Sequence, residues 1–120
     1  WQRVALSAAK QCRAGWIPDI GAVGGLAEAM PLCAGADLFL VGALTPDARP
    51  LRAVLDGVRG RRVRSVALLI GPEGDLAPSE LEAASGAGAV PVSFGPLVLR
   101  VETAALFGLS VLASEFLTTG

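Results

Sequence analysis

Ser65-Val66-Ala67-Leu68-Leu69-Ile70-Gly71-Pro72-Glu73-Gly74 is the stretch from which the rest of the chain can be read. Six uncharged residues, almost all apolar, break at once into a glycine–proline turn. A strand covering one face of a sheet alternates apolar and polar residues, whereas a continuously apolar strand is buried on both faces, as in parallel sheets. Working outward, Asp37 to Gly42, centred on Leu38-Phe39-Leu40-Val41, and Val90 to Phe94 have the same character. Helical spacings surround them. Trp1 to Cys12 repeats Val4, Ala8 and Cys12 on one face, Leu26 to Met30 is closed by Pro31, and Pro50 to Val58 carries Leu51, Val54, Leu55 and Val58 in step. Pro78 opens a further helix with Glu80 and Glu82 in its first turn and Gly86 and Gly88 at its end, and a last helix covers Val101 to Leu117. Ile17 to Ile20 reads as short and extended. Strands alternating with helices predict one α/β domain, a parallel sheet with helices on both faces.

Composition narrows the chemistry. Of 120 residues, 52% are hydrophobic and 18% charged, enough to bury a core and incompatible with a disordered tail. The longest apolar run, Thr103 to Ser114, is interrupted by Gly108 and Ser110 and falls short of the about 20 residues that a bilayer span needs, so no membrane association is expected. Histidine is absent, which removes the usual base near neutral pH and the commonest metal ligand; no metal site is expected. Cys12 and Cys33 have no metal-ligand spacing and read as buried free thiols, which suits a reducing, cytoplasmic setting. Net charge is −1, and the one dense basic run is Arg59, Arg61, Arg62 and Arg64, read first as a solvated turn before a strand. If the substrate is a nucleic acid, most of the grip on it comes from outside this chain.

Open parallel sheets bind ligands beyond the carboxyl ends of their strands. Three such ends break into glycine-bearing loops: Val41-Gly42, Ile70-Gly71-Pro72-Glu73-Gly74 and Phe94-Gly95-Pro96. In the second, Pro72 fits position i+1 and Gly74 position i+3 of a type I turn, which would offer the backbone N–H groups of Gly71, Glu73 and Gly74 to a ligand. Glycine loops also serve as plain punctuation, and spacing alone leaves both readings open. Gly21-Ala22-Val23-Gly24-Gly25 lacks dinucleotide-loop spacing, and no Gly-Lys-Ser/Thr occurs. Glu73 and Asp75 stand next to a helix start, where capping is the simplest role for them.

Three segments in register carry a resemblance. Trp1 to Cys12 followed by Ile17-Pro18-Asp19-Ile20, then Leu68 to Gly74 with Glu80-Leu81, then Phe94-Gly95-Pro96 through Leu99-Arg100 and Glu102-Thr103-Ala104-Ala105, together resemble the RsmE family. These are bacterial methyltransferases of uridine N3 in small-subunit ribosomal RNA, within the knotted SPOUT class. The resemblance runs over essentially the whole chain. It implies a C-terminal trefoil knot, a homodimer whose interface helps form the site, and S-adenosylmethionine folded among the knot loops. The last helix is the expected dimer contact, because Ala104, Ala105 and Gly108 offer a small-residue face beside Leu109, Leu112 and Phe116. Carried over residue by residue, it assigns cofactor contacts to Leu69, Ile70, Gly71, Glu73, Gly74, Gly95, Leu97 and Leu99, with Gly42 and Thr103 as further contacts.

A sulfonium is intrinsically a good methyl donor, so the protein supplies alignment rather than a nucleophile. Without histidine, Glu102 is the candidate base for the uridine N3 proton, against the simpler role of a helix-start carboxylate. Arg100 is the candidate for stabilising the uracil oxygen, against an ion pair with Glu102 or a carbonyl cap. Three positions depart from the family pattern: Asp75 where it usually has glycine, Leu97 where it has arginine, and Val101 where it has threonine. The resemblance also places a PUA-like RNA-binding barrel and the first strands of the methyltransferase domain upstream, which makes residues 1–120 the C-terminal part of that domain. Two rival readings share these residues: an RNA-binding or assembly module that has kept the fold without turnover, and a knotted methyltransferase for another RNA position.

Overall fold

The computed structural model describes residues 1–96 and 98–117. Four parallel strands form one sheet: β1 (Leu38–Gly42), β2 (Arg49–Pro50), β3 (Val66–Leu69) and β4 (Val90–Ser93), in the order β2-β4-β1-β3. The helices are α1 (Gln2–Cys12), α2 (Leu26–Ala34), α3 (Leu51–Gly57), α4 (Pro78–Gly86) and α5 (Val101–Phe116).

The continuously apolar strands lie in the middle, as expected. On one face Leu38 and Leu40 of β1 and Val92 of β4 pack against Leu51, Val54 and Leu55 of α3 and Leu112 of α5. On the other, Phe39 and Val41 pack against Ala84 of α4, with Met30 and Cys33 of α2 at the margin. Helices therefore cover both faces. Leu40, Val41, Leu55 and Val92 are completely excluded from solvent.

Several local expectations are corrected. Helix α2 runs through Pro31 to Ala34, because proline forfeits only one backbone hydrogen bond and Cys33, beyond it, is drawn onto the sheet. Pro50 is the N-cap of α3 and also pairs with Ser93 in β2, an edge strand too short to leave a sequence signal. In α1 the residue that is buried is Ala9, one position off the Val4–Ala8–Cys12 face; Val4 is exposed. Cys12 is exposed and only Cys33 is partly covered, so the expectation of two buried thiols holds for neither in full. Ile17 to Ile20 has no strand pairing.

The arginine run is a turn before β3, as read, but Arg59 is engaged. Its guanidinium donates to Glu115 of α5 at 3.0 Å and lies 3.4 Å from Asp56. This ties the end of α3 to the end of α5. The hydrogen bond from Arg59 holds the Glu115 carboxyl below the ordinary carboxylate range, and the same bond raises the Arg59 guanidinium above its own.

Among the described residues no helix is long and apolar enough to cross a membrane, and no cluster of metal-ligating side chains occurs.

Candidate functional site

The sheet order creates the site. β1 lies between β3 and β4, in register Val41 to Leu69 on one side and Gly42 to Val92 on the other. The chain leaves β3 for β4 by crossing β1, so the loops after all three strands meet at one end of the sheet. This is the switch point at which open parallel sheets hold ligands. An open cleft lies there, with about 600 Å³ of space between its walls, open solvent included.

Each loop contributes one wall. From the loop after β1 come Gly42, Ala43 and Leu44; from that after β3, Ile70 through Asp75; from that after β4, Ser93, Phe94 and Gly95, joined by Val98, Leu99, Val101 and Ala104 leading into α5. Two tight approaches bring Phe94 and α5 onto the sheet beside the cleft. A Cβ on Gly42 would stand 3.1 Å from the Phe94 ring, and one on Gly108 would stand 2.6 Å from Leu68 Cδ2. Small residues there let α5 and the Phe94 ring lie close to the sheet. Phe94 also meets Phe107 of α5 in a tilted pair with ring centroids 5.5 Å apart.

The turn after β3 differs from the one expected. The Asp75 N–H donates to the Pro72 carbonyl at 3.0 Å, so Pro72 is residue i and Gly74 is residue i+2. Gly74 has φ +82°, which is what a type II turn requires at that position. Gly71 is needed for another reason: a Cβ there would lie 2.9 Å from Leu76 Cγ. The amides of Glu73 and Gly74, residues that line the cleft, stand outside the bond that closes the turn.

Asp75 is not a helix cap. Its Oδ1 accepts from the Leu76 N–H at 2.9 Å and its Oδ2 from the Leu44 N–H at 3.0 Å, across the cleft wall in the loop after β1. The α4 N-terminus is served instead by Glu80, whose carboxylate accepts from the Ala77 N–H at 2.9 Å. Ser93 fixes the third loop: its Oγ accepts from the Gly95 N–H and donates to the Gly95 carbonyl, both at 3.2 Å.

Of the residues singled out in the sequence, Gly42, Ile70, Gly71, Glu73, Gly74, Gly95 and Leu99 line this cleft together. Leu69 lies one residue below it, packed on the α4 face of the sheet. Arg100 is the N-cap of α5, while Glu102 and Thr103 occupy its first turn; all three are exposed and outside the lining, interleaved with the lining residues Leu99, Val101 and Ala104. Among the described residues no ion pair joins Arg100 to Glu102. Leu97 lies outside the described residues. Sequence reasoning passed over Leu44, Ser93, Phe94 and Ala104 as cleft residues; for Ser93, the hydroxyl two residues before a glycine at a strand end was the available signal.

Comparison with known proteins places this geometry. A family model described as an RNA methyltransferase domain matches residues 1–113. The ribosomal RNA small subunit methyltransferases E of Mycobacterium bovis and Mycobacterium tuberculosis are each 37% identical over 111 residues, 91% of this chain and 41% of theirs. The chain thus spans about two fifths of the length of these curated relatives. A putative methyltransferase of Legionella pneumophila, solved in complex with the bound cofactor SAM, superposes with a TM-score of 0.82 at 33% identity, over 95% of this chain and 44% of that one. The ribosomal RNA small subunit methyltransferase E of Neisseria gonorrhoeae, bound to S-adenosyl methionine, gives a TM-score of 0.81 at 24% identity over 95% of this chain and 46% of that one, a likeness of fold alone. The match over nearly the whole chain, joined to the parallel sheet with its cleft at the switch point, bears out the resemblance read from the three sequence segments, and the chain belongs to the RNA methyltransferase domain family.

Proposed function

We propose that this chain is the S-adenosylmethionine-binding part of a methyltransferase that acts on uridine N3 in small-subunit ribosomal RNA. The observation that carries the reading is the cleft where the loops after β1, β3 and β4 converge, in a chain of this family. Its chemistry fits the cofactor. Apolar side chains of Leu44, Ile70, Val98 and Leu99 offer a surface for a planar base, and the turn amides at Glu73 and Gly74 offer donors. No Cβ projects from Gly74 or Gly95, so a ligand has direct access to main chain there.

When bound, the cofactor supplies an electrophilic methyl group on a sulfonium. The chain's residues bind and orient it and handle the proton of the acceptor. Arg100 and Glu102 stand at the rim, alternating along the chain with lining residues, and are exposed to an incoming substrate. Glu102 would accept the N3 proton and Arg100 would stabilise the charge developing on the uracil oxygen. Thr103, beside them, is the further cofactor contact at this rim.

The same reading makes the protein a cytoplasmic homodimer. The small residues Ala104 and Gly108, first expected in the dimer contact, are buried against the chain's own sheet instead. The unpartnered face of α5 carries Leu106 and Leu109, 67% and 59% exposed, and this is the face assigned to the second copy. The trefoil knot, the upstream RNA-binding barrel and the first strands of the domain belong to the same proposal.

The test is methylation of small-subunit RNA by the protein joined to its RNA-binding part, with nucleosides resolved by mass spectrometry. 3-Methyluridine is the expected product, lost in Glu102→Gln. A methylated ribose would support the rival position, and cofactor binding without any methylated nucleoside would support the non-catalytic module.

A further inference from the structure

Asp75 has features that neither capping nor catalysis explains. It is a non-glycine residue at φ +75°, in the left-handed region, which aspartate tolerates better than most residues but at a cost. Its two carboxylate oxygens are used separately. Oδ1 closes on the adjacent Leu76 N–H, and Oδ2 reaches the Leu44 N–H, 31 residues away in sequence and on a different strand-end loop. Both Leu44 and Asp75 line the cleft, on neighbouring walls.

Leu44 is where the loop after β1 leaves the sheet. Immediately before it, the Ala43 N–H still donates to Val92 O at 3.0 Å; beyond it, the next backbone bond is local, from Ala48 N–H to Thr45 O at 3.1 Å. The Asp75 bond therefore sets where that wall stands relative to the turn after β3.

We propose that Asp75 is a positioning residue for the cofactor: its carboxylate latches the loop after β1 to the turn after β3 and holds the two walls at the separation the ligand needs. This rests on the reading of the cleft as the S-adenosylmethionine site and deepens it. A carboxylate is the fitting group because both donors are backbone N–H groups. An amide at this position has one acceptor oxygen and turns an NH2 toward the other donor, so asparagine keeps the backbone conformation and loses half of the latch. Glycine also keeps the backbone and loses all of it.

The experiment compares the intact wild-type protein with Asp75→Asn and Asp75→Gly. Calorimetry measures S-adenosylmethionine and S-adenosylhomocysteine, and amide exchange at Leu44 is followed without ligand. Asp75→Gly should weaken both ligands by the same factor, about tenfold, the scale of one lost charged hydrogen bond. Asp75→Asn should fall between Gly and wild type. Leu44 exchange should quicken in Asp75→Gly, and the melting temperature of that variant should change little, since relief of the positive φ offsets the lost bonds.

Unchanged Leu44 exchange in Asp75→Gly overturns the latch. So does faster exchange with unchanged affinity, an affinity loss that only tracks the melting temperature, or a loss confined to the sulfonium ligand, which would mean direct charge contact. A wild-type protein that binds neither ligand overturns the cofactor reading on its own, and Leu44 exchange still decides whether the latch exists.

Discussion

Gly74 and Gly60 form a matched pair from which the cleft assignment can be tested. Gly74 has φ +82° and Gly60 φ +88°, and a Cβ at either would find no protein atom within 4 Å. Replacing either with alanine therefore carries the same backbone penalty and creates no clash. That penalty is about 1–2 kcal/mol for an L-residue forced into the left-handed region. For a domain of this size it lowers the melting temperature by roughly 3–10 °C. Only Gly74 lines the cleft; Gly60 sits in the turn before β3, at the other end of the sheet. Gly74→Ala sets a methyl group where a ligand would lie against main chain, and loss of even 2–3 kcal/mol of contact is about a 30- to 150-fold change in affinity. Valine is a poorer probe, because a β-branched side chain at this φ adds strain to the steric block. Thermal melting should show both alanine variants destabilised alike, and calorimetry with S-adenosylhomocysteine should show weak binding in Gly74→Ala alone. Equal affinity in the two folded variants would refute the reasoning, because nothing but proximity to the cleft distinguishes them.

Three other outcomes follow from the packing and charge. Leu40→Ala, at a completely buried position in β1, should cost about 2–5 kcal/mol in denaturant unfolding, and a loss below about 1 kcal/mol would mean that the sheet centre is not the core. The double variant Leu106→Glu, Leu109→Glu should stay folded and run as a monomer in light scattering; an unchanged dimer would exclude this face of α5. The Glu115 carboxyl, lowered chiefly by its hydrogen bond from Arg59, contributes stability that is present above its unfolded pKa and is lost as pH falls through the depressed folded value. Acid melting curves of wild type and Glu115→Gln should therefore differ at neutral pH and converge in acid, and curves that stay parallel down to low pH would contradict this.

What could be read from the sequence was whatever depended on local pattern. β1, β3 and β4 announced themselves because strands buried on both faces have no polar phase, and Leu38-Phe39-Leu40-Val41 has none. Their glycine-bearing ends located the cleft for the same reason. What stayed hidden depended on partners far along the chain. Arg49-Pro50 is a strand only because β4 lies beside it. Pro31 reads as a stop, but Cys33 and Met30 packing on the sheet carry α2 past it. Asp75 reads as a cap because a helix start follows it in sequence, while the bond that explains it goes to Leu44. Ala104 and Gly108 looked like a contact between helices; with Leu68 and Phe94 close beside Gly108, they are a contact with the sheet.

The layout of charge separates two tasks along the sheet. Arg61, Arg62 and Arg64 precede β3, at its amino end, whereas the cleft opens beyond its carboxyl end. Four strand residues at about 3.3 Å each put at least about 13 Å between them. Exposed charges that far apart are beyond the screening length of about 8–10 Å at physiological salt, so the cluster does little to the potential inside the cleft. The charged residues that line the cleft are Glu73 and Asp75, both acidic. A wall of that sign suits a cationic methyl donor and disfavours phosphate, while the nearby arginines, Arg49 in the edge strand beside Val92 and Arg100 at the start of α5, lie outside it. An RNA strand brought to this cleft would therefore meet cations at the rim and carboxylates within. A base and the cofactor would go where the phosphates do not, and the bulk of the phosphate grip would fall to the RNA-binding part proposed to lie upstream.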